Sequence, residues 1–181
     1  MYRKCVTEIS VRHQMQTEDA LLFLMEKMPY EDITVTELCR TAGISRRVFY
    51  HLFSSKADAL SALIDHVILA SVTHAPHIRD DVLRFVLYWQ QQRSLLDSLQ
   101  ANQLTGFLLE RMIACILSED YDVRHWLKAN GWEQQRDVIV FHLSGSMGLI
   151  YRWYYSGFRE SPEEMAALLK KILTTPLAQN I

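Results

Sequence analysis

Residues Ile33–Phe53 read ITVTELCRTAGISRRVFYHLF. Thr34-Val35-Thr36-Glu37 has the order of a capping box, so a helix is expected to start there. Gly43 supplies the positive φ at which that helix ends. Ser45 can cap a second short helix, which opens with Arg46 and Arg47 and closes with Tyr50, His51 and Phe53. Two short helices joined by a tight glycine turn are the pattern of a helix-turn-helix, whose second helix enters a DNA major groove.

Such a helix needs apolar anchors inward, hydrogen-bonding groups outward and nearby phosphate contacts. Val48, Leu52 and Phe49 or Phe53 fit the inward set. Ser45, Arg46, Arg47, Tyr50 and His51 are left facing out or sideways. Arginine pairs bidentately with guanine O6 and N7, while Tyr50 and Lys56 suit phosphate. Thr34 and Thr36 lie at a helix N-terminus, where free N–H groups and the helix dipole attract an anion. From Leu38 to Lys56 the cations are Arg40, Arg46, Arg47 and Lys56, with no acid among them. Local charge is positive although the whole chain carries a net −2. That balance speaks against indiscriminate phosphate coating but leaves sequence-specific binding open.

Working outward, the 181 residues are 49% hydrophobic and 22% charged, a globular composition. Glycine and proline are scarce, and no regular apolar–polar alternation marks a strand, so the fold class is all-α. A first helix is expected over about Thr17–Met28, with Leu21, Leu24, Met25 and Met28 on one stripe. The lead-in Met1–His13 either extends it or stays loose. A fourth helix begins at Ser55 with a second capping box and runs to about Val72 as a connecting strut. Thr73-His74-Ala75-Pro76-His77 is the clearest break, dividing residues 1–72 from 73–181. Beyond it, helical patterns occupy about Asp80–Gln91, Ser94–Ala101, Leu104–Leu117, Val123–Ala129 and Trp132–Ser156. A third capping box, Ser161-Pro162-Glu163-Glu164, opens the last helix, with proline where its missing N–H is harmless.

The order Ala42-Gly43-Ile44-Ser45, then Phe49-Tyr50-His51-Leu52-Phe53, then Lys56 and Leu60 resembles the TetR family of one-component bacterial regulators. The resemblance spans about Thr17–Leu63. It implies that Ser45, Arg46, Arg47, Tyr50 and His51 approach DNA, and that Thr34 and Lys56 hold its backbone. Cys39 departs from a usual alanine and Arg47 from a usual small residue. The resemblance further implies an N-terminal three-helix helix-turn-helix domain and a C-terminal helical domain that dimerises through its last two long helices. Ser144-Gly145-Ser146-Met147-Gly148 permits close helix approach. The expected interface holds Ser144, Gly145, Gly148, Leu149, Arg152, Tyr155, Met165, Leu168, Leu169 and Ile172.

Such regulators often hold a small-molecule effector. Aromatic and soft residues with a few polar groups suit one, and the candidates are Phe85, Tyr88, Trp89, Phe107, Met112, His142 and Tyr151. The expected partners are a palindromic double-stranded operator, a second copy and an effector. The expected output is a repressor; the alternative is an activator or co-regulator controlled by a protein partner through Trp153, Tyr154 and Tyr155.

No catalytic motif, cofactor motif or metal-ligand spacing stands out. His66, His74 and His77 read as exposed imidazoles, and Cys5, Cys39 and Cys115 as reduced thiols. The stretch Met1–Gln14 lacks the apolar run of a signal peptide. Val138–Tyr155 carries His142 and Arg152, which disfavours a membrane span. A cytoplasmic, non-enzymatic protein is expected.

Overall fold

A computed structural model describes residues 7–77, 80–118, 127–128, 131 and 136–174. Among these the regular elements are all helical. They are α1 (Glu8–Met25), a 3₁₀ turn (Tyr30–Asp32), α2 (Val35–Ala42), α3 (Arg46–Leu52), α4 (Lys56–His74), α5 (Val82–Gln91), α6 (Arg93–Ala101), α7 (Thr105–Leu117), α8 (Arg136–Tyr155) and α9 (Pro162–Thr174). The helix expected near Val123–Ala129 and the first residues of the one expected from Trp132 lie largely outside the described residues, as does Cys5.

Helix starts follow side-chain chemistry. The Thr7 Oγ1 accepts from the Ser10 N–H at 3.2 Å while the Ser10 Oγ accepts from the Thr7 N–H at 3.1 Å. This reciprocal cap starts α1 well before Thr17, so the lead-in extends the helix. Helix α1 ends at Met25, short of the expected Met28. At α9 the expected capping box is complete, with Ser161 and Glu164 bonded in both directions at 3.2 and 2.8 Å. At α4 only half of the box forms. The Ser55 hydroxyl accepts from the Asp58 N–H, but the Asp58 carboxylate turns to the Ser54 N–H.

The helices pack as two compact units that are not consecutive in sequence. The first combines the described part of Met1–Val67 with Ser94–Arg111; the second combines Ile68–Arg93 with the described part of Met112–Ile181. In the first unit α1 packs on α2 and α3 around the fully buried Leu21, Leu38 and Phe49. Helix α6 adds Leu95, Leu96 and Leu99 to the buried set. In the second unit α9 packs on α5 and α8, burying Trp89, Trp153, Met165 and Leu169. No described helix is long and apolar enough to cross a membrane.

Candidate nucleic-acid interface

The turn between α2 and α3 is fixed locally. Thr34 caps α2 by accepting from the Glu37 N–H at 3.1 Å, a bond of about 1 kcal/mol. Its hydroxyl proton remains available to donate. Glu37 does not return the expected bond to the cap; its carboxylate lies 3.6 Å from Arg40. Gly43 holds φ +68° and its N–H reaches back to the carbonyls of α2, a conformation that a Cβ would disfavour by about 1–2 kcal/mol. Ser45 then caps α3 through the Val48 N–H at 3.2 Å.

Two turns of α3 follow with opposed faces. Phe49 and Leu52 are buried, and the Phe49 ring packs on Phe53 with centroids 5.3 Å apart. Val48 is half-buried, whereas Ser45, Arg46, Arg47, Tyr50 and His51 are exposed. Arg46 leans toward α2. Its Nη1 lies 3.5 Å from the Thr36 hydroxyl and its guanidinium 5.8 Å from the Tyr50 ring centroid. Cys39 is buried under this pair of helices; burial pushes its thiol pKa up, against the pull of Arg46. Thr34 and Thr36 are both exposed at the start of α2. The geometry therefore presents a cationic, hydrogen-bonding face from α3 beside free N–H groups of α2.

Lys56 is placed differently from the other expected contacts. Its ammonium donates to the carbonyl of Tyr30 and, at 3.2 Å, to that of Glu31. It also sits 4.2 Å from the centroid of the Tyr30 ring. Any phosphate contact by Lys56 has to compete with these bonds inside the unit.

Comparison with known proteins bears on this same segment. The family model described as "Bacterial regulatory proteins, tetR family" matches residues 19–63. Over this segment the chain is similar to the tetR family, a match that covers about a quarter of its length. The HTH-type transcriptional regulators EthR of two Mycobacterium tuberculosis strains and of Mycobacterium bovis are each 47% identical over 45 residues, which is 25% of this chain and 21% of each relative. The matched stretch thus spans about a fifth of those relatives' length. The family model covers the C-terminal end of α1, the 3₁₀ turn, α2, the glycine turn, α3 and the start of α4.

The expected effector residues fall on both units. Phe107 is half-buried in the first; Phe85, Tyr88, Trp89, Met112, His142 and Tyr151 belong to the second. Phe85 and Tyr88 both pack edge-on against Trp89, at 6.2 and 5.9 Å. The Trp89 indole N–H is buried with no hydrogen-bond partner among the described residues. Burial raises the Tyr88 pKa to about 12 and raises that of Tyr151 further, with the Tyr155 and Tyr154 charges adding to it. His142 is buried on α8. A separate shallow groove of ≈ 290 Å³ runs between α1 and α6, lined by Met25, Glu26, Ser94, Asp97, Ser98 and Ala101. None of these was expected from sequence.

The expected dimer residues separate by face. Gly145, Gly148, Arg152 and Tyr155 on α8 are exposed, as are Leu168 and Ile172 on α9; Ser144 and Leu149 are half-buried. Met165 and Leu169 are instead buried in the second unit's own core. Arg152 is paired within the chain, with its Nη1 2.6 Å from the Glu160 carboxylate. Of the aromatics considered for a protein partner, Trp153 and Tyr154 are buried and Tyr155 is exposed. His66 bonds Glu18, and the His74 ring nitrogen contacts the Ala70 carbonyl.

Sequence reasoning missed Tyr30 and Asn102, which hold the approach to α2. The Tyr30 N–H donates to the Asn102 Oδ1 across 72 residues of chain. The available signal was the polar Asn102-Gln103 pair closing α6, a helix-end composition.

Proposed function

We propose that the protein is a sequence-specific, DNA-binding transcriptional regulator. The observation that carries this reading is the row Arg46, Arg47, Tyr50 and His51 exposed on a helix whose opposite face is locked by Phe49 and Leu52. Arg47 and His51 stand one turn apart on α3 and take the base-reading roles, with Arg46 and Tyr50 beside them. Ser45, Thr34 and Thr36 take phosphate, where N–H groups and the helix dipole already favour an anion. Lys56 contributes to phosphate binding only as far as its bonds to Tyr30 and Glu31 release it.

The functional division is 1–72 for DNA and 73–181 for regulation and pairing, except that Ser94–Arg111 packs in the first compact unit and supports the DNA-binding part. A second copy covers the outer stripe of α8 (Phe141, Gly145, Gly148, Arg152, Tyr155) together with Leu168 and Ile172 of α9. A two-fold pair puts two recognition helices about 34 Å apart, matching a palindromic site. The output is repression in the cytoplasm, released when a small molecule occupies the aromatic second unit and tilts α4. Release follows because linked half-sites lose about 10²–10⁴ in avidity once both cannot be gripped together. The unpaired Trp89 N–H fits a ligand carrying a hydrogen-bond acceptor. Control by a protein partner is the weaker reading, since Trp153 and Tyr154 are buried. A regulator of this kind needs no catalytic centre.

Selection from a random duplex library, followed by anisotropy titration, tests the proposal. A palindrome with half-sites one helical turn apart is the expected winner. Arg47→Ala should relax base preference at one position by about 1–3 kcal/mol. A library from which no sequence is enriched would overturn the reading.

A further inference from the structure

Tyr30 opens the 3₁₀ turn that delivers Ile33 and the cap residue Thr34 to α2. Both of its backbone hydrogen-bonding groups are held by side chains distant in sequence. The N–H donates to the Asn102 Oδ1 and the carbonyl accepts from the Lys56 ammonium. The ring is buried, with that ammonium over its face. One residue thereby ties the entrance of α2 to the first turn of α4 and to the turn between α6 and α7. All of these lie in the first compact unit.

Asn102 is itself held in place. Its Nδ2 donates to the Ser98 carbonyl at 2.8 Å, which leaves the Oδ1 facing Tyr30. The next residue, Gln103, has φ +58°. A side chain there is disfavoured and persists where surroundings over-determine the backbone. The surroundings are clear: the Leu104 N–H closes the turn on the Leu99 carbonyl at 2.7 Å, and Leu99 is fully buried.

The geometry points to Asn102 as a positioning residue for DNA reading, acting through the Tyr30 peptide rather than on the duplex. This rests on the DNA-binding reading above. The recognition helix is aimed by α2, and α2 enters through the turn that Asn102 and Lys56 grip. What position 102 must supply is an acceptor for a partly buried N–H. Without one, the N–H seeks water and the turn shifts. A carboxylate at this position would accept the same bond.

The test compares the full chain with Asn102→Ala and Asn102→Asp, well below their melting temperatures. Asn102→Ala should speed Tyr30 amide exchange about tenfold. It should weaken binding to the selected duplex about tenfold while shifting melting by about 5 °C or less. Asn102→Asp should restore both within about threefold, although its added charge disfavours DNA. That rescue is what a merely structural role would not show. Should Asn102→Ala fail to fold, Asn102→Ser carries the same comparison. A parent chain that enriches no duplex overturns the DNA reading and this role with it. An Asn102→Ala chain that binds and exchanges like the parent, or an Asn102→Asp chain no better than it, overturns the role alone.

Discussion

In the first unit Arg111 of α7 grips the fully buried Asp65 of α4 with two bonds, at 2.9 and 2.5 Å, and Glu18 of α1 takes bonds from Gln14 and His66. In the second unit, Trp153 packs on Phe158 at 4.7 Å and sends its indole N–H to the nearby Glu160 carbonyl. Around Trp89 the neighbours are the Phe85 and Tyr88 rings. Among the described residues, ion pairs of the first unit join helices distant in sequence, whereas the Arg152–Glu160 pair of the second is local and aromatic rings surround Trp89 and Trp153. Ion pairs demand fixed angles and distances. They suit a unit whose helices are proposed to present α3 in one orientation. Apolar packing accepts shifts that would break such bonds, which suits a unit proposed to admit an effector.

The largest effect expected is Trp153→Ala, at about 4 kcal/mol of stability, because a large buried ring leaves a cavity. Chemical denaturation measures it; a loss under about 1 kcal/mol would mean that ring packing does not hold the second unit. Next is Arg111→Ala, at about 3 kcal/mol, because it removes the charge that two bonds set against the fully buried Asp65 carboxylate. The pair Arg111→Met with Asp65→Leu should recover most of that loss, since neither charge then remains buried. If the double variant is as unstable as the single one, the ion pair is not what joins α4 to α7.

Phe141→Asp combined with Leu168→Asp should weaken self-association by about tenfold, or ~1.4 kcal/mol, by placing charge on the exposed apolar stripe. Sedimentation reads this directly, and a parent chain that is monomeric at every concentration would remove the second unit's proposed partner.

The smallest effect concerns His66. Its pKa is raised above the ordinary 6.5 by the hydrogen bond to Glu18, against burial, with the Glu18 and Asp19 charges adding to the rise. A raised folded pKa means that the bond's contribution is complete below the unfolded value. It fades as pH climbs from there through the folded value. Melting curves across that window should show the parent losing a small advantage that His66→Ala never has. Identical pH profiles would show that this bond adds no net stability to the first unit.

How much was readable in the sequence depends on how far apart the interacting groups lie along the chain. The α2–turn–α3 segment was readable because each device spans about three residues: Thr34 to Glu37, Gly43 with its own φ, Ser45 to Val48. The α9 start at Ser161 was readable for the same reason. The motif position of Lys56 points to phosphate, and nothing near it in sequence reveals the Tyr30 carbonyl that it bonds. On α9 an apolar stripe was visible, but not that Met165 and Leu169 turn inward while Leu168 and Ile172 stay out.

The amino-acid order by itself determined the helix caps, the left-handed turn and the cationic face of α3, since short-range hydrogen bonding and sterics set all three. Tertiary structure alone decided that α6 packs into the first unit, that Asn102 and Lys56 meet at Tyr30, and that Asp65 finds Arg111. Those partners are 26–72 residues apart, and only the packing of whole helices brings them within bonding distance.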